Sequence, residues 1–134
     1  MIGKSLAVAA ALALTAPNAL AVEDTAATVT PQFMHALPEM PGKAMKVVTV
    51  SYAPGAASPA HRHGRAFVYA YVLSGKVRTQ VEGEPEKIVG PGEGWFEAPG
   101  AHHIVSGNAS TTEPAKFLVV FIADDKADLT VMDK

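Results

Sequence analysis

Two short stretches decide the fold of this chain: 59-PAHRH-63, and 99-PGAHH-103, which starts 40 positions later. We expect the first stretch to begin the strand that leads into residues 67–73. Side chains alternate across an extended strand, so His61 and His63 then fall on one face. His103 follows a Pro-Gly turn, at the start of a later predicted strand. Neutral imidazole binds first-row transition metals, and three converging imidazoles form a metal site. The two stretches therefore predict a metal site, provided that the surrounding fold brings them together.

The sequence around these histidines consists of short strands separated by turns. β-branched and aromatic residues dominate the predicted strands, which are 44–53, 67–73, 76–82, 87–89, 95–97, 102–106 and 116–123. After the first 21 residues, no window of ten or more residues has a convincing helical period. Strands this apolar should close or nearly close, because open edges promote aggregation. The fold class is therefore all-β, a sandwich or barrel.

Aromatic side chains at strand positions usually pack in a core. On this ground we expect five aromatic residues to be mostly buried: Phe67, Tyr69, Tyr71, Trp95 and Phe96.

The first 21 residues have the pattern of a cleavable secretory signal peptide. Lys4 precedes an apolar run from Ser5 to Thr15, and Ala19-Leu20-Ala21 is a small-residue cleavage site. The run is too short to span a bilayer comfortably, although an uncleaved N-terminal anchor remains the alternative. We therefore expect a periplasmic or secreted protein that has no stable membrane anchor after processing.

The chain is expected to divide into four parts. They are the signal peptide (1–21), an extended N-terminal lead-in (22–43), a β-barrel (44–124) and a C-terminal tail (125–134). The roughly 110 residues left after processing are enough for one packed domain.

Composition limits the possible ligands and partners. The chain has no cysteine, which excludes disulfides and thiolate metal ligands. Its 11 Lys and Arg and 13 Asp and Glu are scattered, without a basic stripe that would attract nucleic acid. A small-molecule ligand is the expected partner.

The two histidine stretches and their surroundings resemble the cupins. Gly55-x5-His61-x-His63, ending at Gly75, is similar to the first cupin motif, and Gly92 through Pro99-Gly100-x-x-His103 to Asn108 is similar to the second. The resemblance covers about residues 45–124 and is closest to small bacterial single-domain cupins with three histidines. It implies a jelly-roll β-barrel, one mononuclear metal in its mouth, and often a homodimer.

One departure from the family pattern affects the expected ligand set. Cupins of the usual kind carry a carboxylate ligand seven residues before the hairpin glycine, and counting back from Gly75 that position holds Val68. The resemblance then implies a metal held by His61, His63 and His103, with Fe, Mn, Zn, Ni and Cu all possible. Three neutral ligands leave the ion its full charge, which favours an anionic substrate that chelates through oxygen and leaves room for O₂.

Four further residues are candidates for supporting the ligands or lining the pocket. Glu97 could supply a carboxylate or accept a hydrogen bond from an imidazole N–H, or form a surface ion pair. His102 should point away from His103, towards the surface or a supporting contact. Arg78 and Gln80 share one face of a strand; an inward face would let them bind a substrate carboxylate, and an outward face would make them ordinary surface residues.

Three functions follow from these features. The first is a metal-dependent, dioxygenase-like oxidoreductase acting on a small oxygen-rich organic molecule. The second is a non-catalytic periplasmic protein that binds a small anion or the metal itself. The third is a structural barrel whose site has decayed.

Overall fold

The computed structural model describes residues 27–134, so the predicted signal peptide at 1–21 lies outside the described residues. The described part contains strands and no helix, and therefore no helix that is long and apolar enough to cross a membrane. The strands are β1 (Thr28–Ala36), β2 (Lys43–Tyr52), β3 (Ala57–Ser58), β4 (His61–Arg62), β5 (Phe67–Ser74), β6 (Val77–Val81), β7 (Lys87–Val89), β8 (Gly94–Glu97), β9 (His102–Asn108), β10 (Ala115–Asp124) and β11 (Val131–Met132).

The strands form two antiparallel sheets that enclose one core. The first sheet has the order β1-β2-β10-β5-β8, and the second has the order β11-β4-β9-β6-β7, with β3 also paired to β9. Strands β5, β6, β8 and β10 turn alternate side chains inward, so valine, alanine and aromatic residues of both sheets meet between them. The all-β prediction is confirmed.

Strand β5 shows how alternation sets the core. Val68, Ala70 and Val72 are buried, and the residues between them face outward. The expectation that the five strand aromatics would be mostly buried is wrong, because only Trp95 is. The other four are exposed on the outer face of the first sheet: Phe67, Tyr69, Tyr71 and Phe96. Composition predicts that these residues lie in strands, but only the register decides which face they occupy.

Both ends of the described chain join the sheets. β1 lies in the segment predicted as an extended lead-in and pairs with β2 from Thr28 to Ala36. β11 lies in the predicted C-terminal tail, where Val131 pairs with Arg62 and Met132 pairs with His61. The tail therefore runs directly beside the first histidine stretch.

The sequence suggested that the histidine stretch begins the strand that contains Phe67, but in the structure this stretch does not begin β5. His61 lies in β4, which pairs with β9 in the second sheet, whereas β5 belongs to the first sheet. Between them the chain turns at Gly64, whose φ is +58°, and the Ala66 amide donates a hydrogen bond to the His63 carbonyl oxygen. The turn carries the chain from one sheet to the other, which sequence alternation alone does not reveal.

Candidate metal centre

Strand pairing brings the three histidines together inside the barrel. His61 and His103 are register partners across β4 and β9, and both are buried. The His61 ring centre lies 4.7 Å from that of His63 and 5.0 Å from that of His103. One ring nitrogen from each residue can be chosen so that all three lie within 4.8 Å of one another.

Two of the three rings are oriented by backbone carbonyls. His61 Nδ1 lies 2.7 Å from the Pro59 carbonyl oxygen, and His63 Nδ1 lies 2.5 Å from that of Leu129. A carbonyl only accepts, so both imidazoles carry their proton on Nδ1 and keep a free lone pair on Nε2. This arrangement is the usual way in which proteins fix a metal-binding tautomer.

The third ring is held by a side chain that the sequence analysis missed. His103 Nε2 lies 2.8 Å from the buried Thr79 hydroxyl oxygen. With that nitrogen engaged, His103 Nδ1 is the atom left for a ligand. Thr79 could have been found by alternation, because it lies between Arg78 and Gln80 and must face the opposite side of β6.

Glu97 brings a carboxylate into the same space. It is 2% exposed, and its Oε1 accepts a 2.9 Å hydrogen bond from the Trp95 indole N–H. The same oxygen lies 3.1 Å from His103 Nδ1, and Oε2 lies 3.5 Å from His63 Nε2. Of the two roles left open by sequence, the surface ion pair is therefore excluded.

The strand register explains how this carboxylate reaches the site. Glu97 on β8 is the direct partner of Val68 on β5, the position where cupins of the usual kind carry their carboxylate. Direct cross-strand partners project from the same face of a sheet, with their Cβ atoms about 5 Å apart. The carboxylate is therefore present on the neighbouring strand.

The electrostatics of the cluster suit a cation. Burial lowers the pKa of His61 and His63, and burial together with the two neighbouring imidazoles lowers the pKa of His103 to about 3. Burial raises the pKa of Glu97, while the Trp95 hydrogen bond opposes the rise. The imidazoles are therefore neutral at neutral pH, the form that binds metals.

Two buried atoms of the cluster have no hydrogen-bond partner in the described structure: Glu97 Oε2 and His103 Nδ1. Although Glu97 Oε1 is 3.1 Å from His103 Nδ1, the angles are not those of a hydrogen bond. Leaving buried polar atoms unpaired is costly, and a cation between them would satisfy both. Nitrogen ligands with one carboxylate fit a first-row transition metal.

The C-terminal tail and His102 support the cluster from outside. The two ring nitrogens of His102 lie 3.1 Å from Glu82 Oε2 and 2.6 Å from Asp133 Oδ2. Asp133 N also donates to the Ala60 carbonyl oxygen. His102 is thus outside the ligand cluster and ties the tail across the histidine stretch, next to the Leu129 carbonyl that orients His63.

Arg78 and Gln80 lie on the outer face of β6, which is the surface alternative left open by the sequence. Arg78 Nε is 3.6 Å from Glu86 Oε1, and both side chains are about half exposed. Gln80 Nε2 donates a 3.0 Å hydrogen bond to the Glu84 carbonyl oxygen. Neither side chain lines the cavity that contains the histidines.

The three histidines and Glu97 open into a cavity of about 350 Å³ between the two sheets, which we call the barrel cavity. Its inner walls come mainly from β2 and β10, and its rim comes from Ala27, Val29, Pro59, Leu129 and Met132. The site therefore has a cavity next to it, open to solvent on one side, that can hold a small molecule.

The Thr79 contact gives a direct test of how the third ring is positioned. Thr79→Val keeps the side-chain shape but removes the hydroxyl that holds His103 Nε2. We expect metal affinity to fall by about 10- to 100-fold, the usual effect of losing such a supporting contact. Competition titration against a chelator measures it. Arg78→Ala, one position away on the outer face, is the control, and an equal loss in both variants would contradict the assignment.

Comparison with known proteins gives a family and a fold. The sequence profile of the cupin domain matches residues 48–121. No functionally curated protein matches the chain. Among solved structures, TT1209 from Thermus thermophilus is 30% identical, with a TM-score of 0.58, covering 72% of this chain and 82% of that one.

Two structures of named enzymes are also similar. The DMSP lyase DddQ from Ruegeria pomeroyi is 25% identical, with a TM-score of 0.58, covering 66% of this chain and 42% of that one. An oxalate oxidase in complex with the substrate analogue glycolate is 23% identical, with a TM-score of 0.64, covering 83% of this chain and 57% of that one. The chain thus spans about half the length of these enzymes, and the second likeness shows the fold alone.

Proposed function

This chain belongs to the cupin family, and we propose that it is a metal-dependent oxidoreductase of the dioxygenase type that acts on a small oxygen-bearing organic molecule. The observation that carries the proposal is the buried cluster of His61, His63, His103 and Glu97, which has two unpartnered atoms and lines a cavity. Such an arrangement is costly to keep buried unless it binds something.

The side chains have distinct roles in this proposal. His61, His63 and His103 would hold the metal through the ring nitrogens that their backbone and Thr79 contacts leave free. When bound, a first-row transition metal supplies Lewis acidity and, if it is redox-active, electron transfer with O₂. Glu97 places a negative charge beside the site, where it can bind the ion or accept a proton from a substrate hydroxyl. The cavity walls exclude water from the bound substrate.

Metal binding and oxygen consumption test the proposal together. The mature protein, reconstituted anaerobically with Fe(II), is expected to bind one equivalent per chain, and His61→Ala is expected to bind less. Oxygen uptake is then screened with catechols, enols and diketones, using Mn, Zn, Ni and Cu forms in parallel. Undiminished binding by His61→Ala would contradict the site, and metal loading without uptake of oxygen would contradict the reaction.

The second candidate is a non-catalytic protein that binds a small anion or the metal itself. One observation favours it: among the described residues that line the cavity, the only ionisable side chains are those of the cluster and Tyr52. Few groups are thus available for proton transfer. Tight ligand binding without turnover would support this candidate. Absence of any retained transition metal after dialysis would instead support a structural barrel with a decayed site.

Export and dimer formation are two further proposals. The sequence pattern of residues 1–21 supports export to the periplasm or beyond. The mass of the mature protein tests whether this segment has been cleaved off. A homodimer is supported by the exposed apolar face formed by Phe67, Tyr69, Tyr71, Leu73 and Phe96, of which 39–53% remains accessible in each side chain. Sedimentation would show a monomer if that proposal were wrong.

A further inference from the structure

Apart from Thr130, the side chains that line the barrel cavity are apolar everywhere except at two places. Its inner walls consist of side chains that carry no charge: Val48, Val50, Ala70, Trp95, Phe117, Val119 and Phe121. No Lys or Arg is among the described residues that line it. A ligand with several charged groups would leave them against these walls unpaired, which is strongly unfavourable.

The first polar place is the metal cluster, and the second is a group of three hydroxyls. The Tyr52 hydroxyl lies 2.8 Å from Ser58 Oγ and 2.8 Å from Ser106 Oγ, and all three residues line the cavity. Burial raises the pKa of Tyr52, so its hydroxyl stays protonated. We call these residues the hydroxyl cluster.

The strand geometry sets the distance between the two polar places. Ser106 and His103 both lie on β9, three residues apart, and both are buried. Three residues of regular strand span about 10 Å, but the pairing of β9 with β6 shifts register between His103 and Ser106, which turns both side chains to one side and brings them somewhat closer than this. A single aromatic ring with a polar group at each end is about this long, and a cavity of about 350 Å³ is at the small end of ligand pockets.

We propose that the ligand of this site is a compact, mostly apolar molecule, such as a substituted aromatic ring, with one oxygen-donor head at the metal cluster and one hydroxyl or carbonyl at the hydroxyl cluster. The inference rests on the proposed metal site. It narrows the proposed substrate from oxygen-bearing molecules in general to those with an apolar body. Dicarboxylates whose second carboxylate lies away from the metal are excluded as good ligands, because that charge would meet no Lys or Arg among the described residues that line the cavity.

Hydroxamates test the apolar body, because they keep one metal-binding head while the rest of the molecule changes. The Zn(II)-loaded protein, whose metal content is measured first, is titrated with benzohydroxamate, acetohydroxamate and oxalate, and each affinity is corrected for binding to free Zn²⁺. We expect benzohydroxamate to bind at least tenfold more tightly than acetohydroxamate, and oxalate to bind no better than acetohydroxamate. Equal affinity for the two hydroxamates, or a preference for oxalate, would overturn the proposal.

A second comparison tests the hydroxyl cluster. We expect 4-hydroxybenzohydroxamate to bind about fivefold more tightly than benzohydroxamate, the effect of roughly one hydrogen bond. Tyr52→Phe and the milder Ser58→Ala should remove this gain without changing the affinity for benzohydroxamate. Ser51→Ala is the control, since Ser51 does not line the cavity. A gain that survives in both Tyr52→Phe and Ser58→Ala would show that the hydroxyl cluster does not contact the ligand.

The metal-free cavity separates this proposal from the proposed function. In His61→Ala without metal, p-cresol is compared with oxalate by ligand-observed NMR, and only p-cresol is expected to bind. If the parent protein binds no metal but still binds p-cresol, the metal site is rejected and the apolar ligand class is kept. If the parent binds one equivalent of metal but prefers benzohydroxamate no more than acetohydroxamate, only the proposed ligand class is rejected.

Discussion

Replacing Glu97 with glutamine is expected to lower metal affinity by about a thousandfold. The carboxylate lies 3.1 Å from His103 Nδ1 and 3.5 Å from His63 Nε2, so its charge acts directly on a cation held by those rings. Inside a protein, opposite charges at such distances attract by several kcal/mol, and about 4 kcal/mol corresponds to a thousandfold. Chelator competition with Zn(II) and Fe(II) measures the loss.

The same substitution should not destabilise the metal-free protein. Burial opposes the charged form of Glu97, as its raised pKa indicates. An amide removes that charge and still accepts the hydrogen bond from the Trp95 indole. Its NH₂ group can also donate to a free imidazole nitrogen. In chemical denaturation of the metal-free forms, the Glu97→Gln variant should therefore have an unfolding midpoint equal to or above that of the parent.

The opposite signs of the two effects make the test specific to metal binding. A substitution that merely damaged the fold would lower both affinity and stability. Glu86→Gln is the control, because Glu86 is a half-exposed surface residue that pairs only with Arg78 among the described residues. Unchanged metal affinity in the Glu97 variant would mean that the three histidines act without this carboxylate.

Strand content and the histidine cluster were accessible from sequence because they depend on local patterns. Turn residues separate the strands, and the i, i+2 spacing of His61 and His63 places both on one side of an extended backbone. The sequence named Glu97 as a candidate, but it could not decide between a role beside the metal and a surface ion pair. The role of Glu97 depends on which β5 residue faces it, and the pairing with Val68 is a long-range property of the fold.

The same limitation applies to the residues that orient the histidines. His63 is held by the Leu129 carbonyl, a backbone atom 66 positions later, and backbone atoms leave no mark on the sequence. Thr79 differs, since its position between Arg78 and Gln80 places its side chain on the opposite face of the strand from theirs. What sequence could not supply was which of the two faces is inward.

Replacing Gly75 with alanine is expected to destabilise the barrel by about 4 kcal/mol or more, enough to prevent folding of a marginally stable domain. Gly75 lies in the turn between β5 and β6 with a φ of +71°. This backbone conformation costs an alanine about 1–2 kcal/mol. In addition, a Cβ at this position would lie 2.3 Å from the Pro114 carbonyl oxygen and 2.7 Å from Ala115 Cα. Both contacts are backbone atoms at the start of β10, which cannot rotate away.

Two other glycines separate the contributions of strain and overlap. Gly83 has a φ of +87° and open space where the methyl group of an alanine would lie, so Gly83→Ala should cost only about 1–2 kcal/mol of backbone strain. Gly94 lacks the positive φ, but its Cβ would lie 2.3 Å from the Ala70 carbonyl oxygen, so Gly94→Ala should show the overlap alone. Urea denaturation of the three variants gives the comparison. If Gly75→Ala lost no more stability than Gly83→Ala, the close approach of the hairpin to β10 would not be a constraint on the fold, and the strain alone would explain the glycine.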